Sequence, residues 1–171
     1  MKRPLRINDD VPELLVNGPC SNMSMYTYDN GKVYVPMDCL PYGAGGNYGY
    51  QFLEKQNLMV NYDSDYAGLV VNTSYFRVNK KKELELIYIL TSSYEDEEGN
   101  VISNADPEHY DENEEHYYIS YIQDEDDNGK QITLGEYNRL LKDSEFVMMT
   151  GESTADEMLS YIESHFKNTV R

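Results

Sequence analysis

The chain has 171 residues, with 31 Asp or Glu against 14 Lys or Arg, a net charge of −17 at pH 7. That length suits one domain with its own hydrophobic core and no need of disulfide staples. The charge speaks against direct binding of nucleic acid or an anionic membrane, and 17 tyrosines without a tryptophan point to a mainly β chain.

The charge is unevenly spread. Residues 1–94 hold ten acids and nine bases, 95–129 hold fourteen acids and no Lys or Arg, and 130–171 hold seven acids and five bases. A near-neutral protein thus carries one strongly acidic insert. The opening "MKRPLRINDDVPELL" has basic residues without an apolar stretch behind them, so it does not read as a secretory signal. The expectation is a cytoplasmic protein, or an extracellular one if a leader has been removed. No run is long enough to span a bilayer. Cys20 and Cys39 match no zinc spacing and read as two reduced thiols, bridged only if the chain is exported.

In chain order, Leu14–Gly18 reads as a short strand. "MSMYTYDNGKVYVPM" reads as a hairpin turning at Asp29-Asn30-Gly31. "PYGAGGNYGY" is rich in Gly and Pro and reads as a flexible turn; without Gly-Lys-Ser/Thr or a βαβ unit it is no phosphate loop. "NLMVNYD" and "AGLVVNTSYFRVN" read as strands. "KKKELELIYILTSSY" continues as a long one, with Leu84, Leu86, Tyr88 and Leu90 expected on one side. After the acidic insert the period turns helical. Thr133 and Glu136 have capping-box spacing, and Leu134, Tyr137, Leu140 and Leu141 form an apolar stripe. A second helix is expected from Ser153 or Thr154, with Ala155, Met158, Leu159, Ile162 and Phe166 on one face. The expected fold is a single α+β domain: a mainly antiparallel sheet followed by two short C-terminal helices. Its parts are a β-rich 14–94, an acidic insert or hairpin 95–130 and a helical 131–171.

"LLVNG", "DNGKVYVPM", "GGNYGYQ", "NLMVNY" and "GLVVNTSYFRVNKKKELEL" follow one another at a spacing that resembles the copper amine oxidase N-terminal-like domain. The likeness covers roughly residues 14–86. These are stalk modules repeated in bacterial cell-surface proteins, and they carry neither the copper site nor the redox cofactor of the oxidases. The resemblance therefore implies a non-catalytic surface module and no cofactor. Tyr62 in "VNYD" reads as a strand tyrosine.

No enzyme site stands out. His109, His116 and His165 have no local partner pattern for a nucleophilic triad, and carboxylates are too abundant for one pair to be singled out. "DEDDNGKQITLGE" comes near a calcium loop. Asp124, Asp126 and Asn128 fit, but Gln131 stands where an apolar residue belongs and Glu136 falls one residue late. A turn at Asp127-Asn128-Gly129 leading into the Thr133 cap is the competing account.

Within the insert, Glu95, Asp96, Glu97 and Glu98 precede Gly99-Asn100 and read as an acidic hairpin tip. "SNADPEHYDENEE" has the composition of a solvated loop. Tyr117–Ile122 alternates as a half-buried strand, flanked by Asp111, Glu112, Glu114 and Glu115 on one side and Asp124, Glu125, Asp126 and Asp127 on the other. Ordered acids with Tyr117, Tyr118 and Tyr121 among them would form a surface for a basic protein, steered by charge and anchored by aromatic area. The expected function is an acidic, non-enzymatic inhibitor or immunity-type protein of bacterial or phage character. It would imitate nucleic acid and block the cationic channel of a nuclease, restriction or CRISPR effector. The alternative is a non-catalytic stalk module of a bacterial surface protein, with the acids serving solvation or calcium.

Overall fold

A computed structural model describes residues 13–18, 21–42, 47, 49–53, 56–102, 115–121, 129–141 and 147–148. The first three strands, β1 (Leu14–Gly18), β2 (Asn22–Asp29) and β3 (Lys32–Pro41), form one antiparallel meander. Then follow β4 (Gly49–Leu53), β5 (Leu58–Asp65), β6 (Val70–Val78), β7 (Leu84–Tyr94), β8 (Glu115–Ser120) and β9 (Lys130–Ile132). One helix, α1 (Leu134–Leu140), precedes β10 (Val147–Met148). The second sheet has seven strands in the order β10-β4-β5-β6-β7-β8-β9, and every neighbouring pair is antiparallel.

This overturns the expected α+β architecture. Among the described residues the structure is 67% strand in two sheets and about 10% helical, with one α-helix. Seven residues of helix do not make a layer; the alternating tyrosine-rich runs do. The stripe from Ala155 to Phe166 lies outside the described residues.

Local chemistry explains the elements that were legible. Asn30 and Gly31 both have positive φ, 48° and 82°, as a two-residue turn matching the strand twist requires, and they join β2 to β3. The Thr133 hydroxyl accepts the Glu136 amide at 3.2 Å and opens α1. The expected stripe of α1 is corrected at its start. Leu134 is exposed, and Tyr137, Leu140 and Leu141 dock instead.

The seven-stranded sheet is apolar on both faces. On one, Tyr50, Phe52, Met59, Phe76, Val78 and Leu84 meet Met23, Met25 and Met37 of the small sheet. On the other, Val60, Tyr75, Leu90, Ile119 and Ile132 pack with Tyr137, Leu140 and Leu141 from α1 and its C-cap. A bulge in β7 sorts the residues. Tyr75 lies opposite Tyr88, but Phe76 lies opposite Leu86, so Ile87 is the extra residue. Side chains alternate along a strand, so one extra residue moves everything beyond it to the other face. The expectation that Leu84, Leu86, Tyr88 and Leu90 share a side therefore fails: Leu84 belongs with the first core, Tyr88 and Leu90 with the second.

Two asparagines tie the connections down. Buried Asn61 donates to the Asn47 side-chain oxygen at 2.9 Å and to the Gly49 carbonyl at 2.9 Å, and Asn47 donates back to Asn61 at 3.2 Å. Asn57 donates to the Val78 carbonyl at 2.8 Å and accepts its amide at 2.9 Å, so a side chain continues the backbone ladder.

The burial difference across the small sheet gives a direct check. Met25 is fully buried, whereas Val33 is 66% exposed. Urea denaturation is expected to show M25A losing about 2–5 kcal/mol and V33A less than about 0.5 kcal/mol. Equal losses would contradict the assignment of the Met face to the core.

Candidate acidic interaction surface

The acids of 95–98 sit where β7 leaves the sheet. Glu95 and Val101 form an isolated antiparallel bridge, so the two chains stay paired beyond Tyr94. Asp96 closes the tip. Its amide donates to the Asn100 carbonyl, its carbonyl accepts the Gly99 amide, and its Oδ1 accepts the amides of Glu98 at 3.0 Å and Asn100 at 2.8 Å. The Asn100 bonds, backbone first and side chain second, hold the Asp96 carboxyl below its ordinary range. Gly99 takes φ +82° with open space around it. The expected acidic hairpin tip is thus an ordered one, with Glu97 and Glu98 exposed at its end.

Glu95 is fixed to the sheet from the side. The Tyr118 hydroxyl on β8 donates to Glu95 Oε2 at 2.7 Å, and the Ser93 hydroxyl donates to Oε1. Ser93 is 3% exposed, so the carboxylate satisfies a hydroxyl that water barely reaches. Burial first, then the bond to Glu95 and its charge, push the Tyr118 phenol up to about 12. Tyr117 points to the opposite face. Its phenol is also raised, by burial first and the Glu115 carboxylate second, and its ring meets that of Tyr137 at 4.8 Å.

β8 is an interior strand between β7 and β9, so this part of the acidic insert is not an appendage. His116 lies on that strand, and its Nδ1 is 3.1 Å from Gln131 Nε2. Tyr121 is 46% exposed just past β8, its ring edge-on to Tyr88 at 6.2 Å. Gly129, with φ +68°, opens β9 so close to β8 that a Cβ there would run into Ser120 Oγ. Asp65 of β5 lies opposite Val70, Val70 opposite Ser93 and Ser93 opposite His116, so the register puts Asp63 and Asp65, across β6, towards the same end of the sheet as Glu95, Asp96, Glu97, Glu98 and Glu115.

Of the acidic residues singled out in the sequence, the structure therefore brings Glu95–Glu98 and Glu115 to one end of the sheet together with Tyr118. Asp111, Glu112, Glu114, Asp124, Glu125, Asp126 and Asp127 lie outside the described residues, as does Asn128 of the calcium-like loop. Glu136 is described, in the first turn of α1, 3.8 Å from Arg139. Among the described residues no group of three His, Cys, Asp or Glu is placed to hold a metal, and no helix is long and apolar enough to cross a membrane. Cys39 is an exposed free thiol; Cys20 is outside the described residues. Sequence reasoning missed Ser93 and Asp63. Ser93 carries no charge and Asp63 stands far from the acidic insert, so neither gave a local signal.

A phenol whose folded-state pKa is raised stabilises the fold below its ordinary value, near 10, and that contribution is lost as pH rises through about 12. In an absorbance titration of phenolate, Y118F is expected to lose one tyrosine's worth of change near pH 12. An unchanged high-pH step would show that the Tyr118 phenol is not held in this half-buried, Glu95-bonded place.

No family model matches the chain, and neither the curated proteins nor the solved structures compared with it give a match.

Proposed function

We propose that this chain is a non-enzymatic acidic binding protein, an inhibitor or immunity-type protein. In this reading the carboxylate-rich end of its seven-stranded sheet docks on the positively charged, nucleic-acid-binding surface of a partner such as a nuclease or other nucleic-acid enzyme. The observation that supports the reading is the fixed tip at Glu95–Glu98. Asp96 closes it, Tyr118 and Ser93 anchor it, and Glu97 and Glu98 project into solvent.

The physical logic is one of charge and preorganisation. Clustered carboxylates repel one another and weaken the fold that carries them. A cationic partner relieves that repulsion and is drawn in at a rate that falls with salt. A carboxylate already held in place loses little freedom on binding, whereas a floppy acidic loop must be ordered at a cost. Nucleic acid itself and anionic membranes are repelled by the same field, so the partner is a protein.

The test is a pull-down from host lysate at low and at high salt. A nucleic-acid-binding protein should be retained at low salt and released at high salt. E97K/E98K should slow association by about tenfold while leaving the fold intact, because both residues are exposed. Retention of no nucleic-acid-binding protein at low salt would sink the proposal.

A further inference from the structure

The opposite end of the sheet has the opposite character. The end of β6 and the β6–β7 turn carry Arg77, Lys80, Lys81 and Lys82 within six residues. Strand β7 holds this turn roughly 30 Å from the acidic tip, at about 3.3 Å per residue. Beside the turn lies an open cleft of about 480 Å³ lined by Asn57, Arg77, Val78, Asn79, Lys80, Lys81 and Glu85.

Asparagine side chains brace the backbone around the cleft. Asn57 grips both polar groups of Val78. Asn79 Oδ1 accepts the amides of Lys81 at 2.9 Å and Glu83 at 3.1 Å, and its Nδ2 donates to Glu83 Oε2 at 3.2 Å. The cations divide into used and unused. Lys82 reaches Asp29 at 3.4 Å on the neighbouring β2–β3 turn. Arg77 Nε donates to Glu85 Oε2 at 2.7 Å in an exposed pair, and among the described residues its two Nη groups make no hydrogen bond. Among the described residues neither Lys80 nor Lys81 has a carboxylate partner, and both side chains are exposed. Among the described residues Glu85 is the one carboxylate lining the cleft, paired with Arg77, and Glu83 of the same turn accepts from Asn79 beside it.

We propose that this cleft binds a small phosphate-type dianion or polyanion, seated between the Nη groups of Arg77 and the ammonium groups of Lys80 and Lys81. A guanidinium held at one edge presents parallel donors that match two phosphate oxygens, and the lysines add point charges that need less exact placement. The site is separate from the acidic surface and stands or falls independently of it.

Calorimetry of the full chain with inorganic pyrophosphate at low ionic strength tests the proposal. Binding is expected, weakened at least about tenfold in K80Q/K81Q and unchanged in K130Q, a lysine on β9. Both variants alter exposed side chains, and a matching urea transition confirms that each has folded. A parallel titration with a short single-stranded oligonucleotide separates the phosphate sources: equal loss in K80Q/K81Q for both probes supports a phosphate site that also accepts a nucleic-acid backbone. Binding of the oligonucleotide alone would overturn the small-anion site, as would no heat with pyrophosphate or equal affinity in K80Q/K81Q. Salt-sensitive self-association lost in the same variant would also overturn it, by making the acidic tip of a second copy the occupant.

Discussion

A sheet that is apolar on both faces needs two covers, and the single extra residue at Ile87 decides which side chains each cover meets. Ahead of the bulge, β7 gives Leu84 to the methionine-rich core under the small sheet. Beyond it, Tyr88 and Leu90 turn to the core under α1. Without that shift, the residues after it would present the wrong face along the rest of the strand. Tyr118 lies opposite Thr91, well past the bulge, so the face on which it reaches Glu95 depends on the same shift. The bulge thus links the packing of the core to the geometry of the acidic tip.

Charge is ordered along the same strand. β7 begins beside four cations and ends at a tip holding four carboxylates. The side-chain chemistry at each end is complementary to its role. At the cationic turn, asparagines take up the backbone hydrogen bonds, leaving lysine ammonium groups unspent. At the acidic tip, Asp96 is consumed by the turn and Glu95 by Tyr118 and Ser93, leaving Glu97 and Glu98 unspent. Of the four acids of the tip two build the scaffold and two face outward, and of the four cations Arg77, Lys80, Lys81 and Lys82 two pair and two face outward. Separation of the two ends by the length of a strand lets the ends carry opposite potentials, since charges that far apart are screened from one another at physiological salt.

Much of this was legible where the chemistry is local. The Asn30-Gly31 turn, the Thr133 cap and the alternation of β5, β6 and β8 need only neighbouring residues, and the sequence supplies them. The failures are non-local. β4 is five residues long and follows a run of Gly and Pro, so its strand character comes from its partners β5 and β10. The bulge is invisible because Leu84, Leu86, Tyr88 and Leu90 alternate without a break; only the register against β6 reveals the slip. Leu134 fitted a helical stripe, but a helix of two turns buries only the residues that its start and end points allow. For the site, clustered acids announced Glu95–Glu98; Ser93 lies only two residues from Glu95, whereas Tyr118, 23 residues away, became its partner only when β7 and β8 were paired.

The Tyr118–Glu95 bond also answers why a buried-leaning tyrosine strand should run through so acidic a stretch. A phenol on an interior strand can donate to a carboxylate without adding positive charge. A lysine or arginine there would hold Glu95 as well but would cancel part of the field that the tip projects. Tyrosine and serine hydroxyls instead fix the carboxylate while leaving its full charge in place. The anchoring is therefore of the kind that an acidic surface requires: neutral donors beneath, unpaired charge above. That arrangement makes the cost of clustering carboxylates compatible with a folded sheet, because each anchored acid gains hydrogen bonds that partly offset its repulsion from the next.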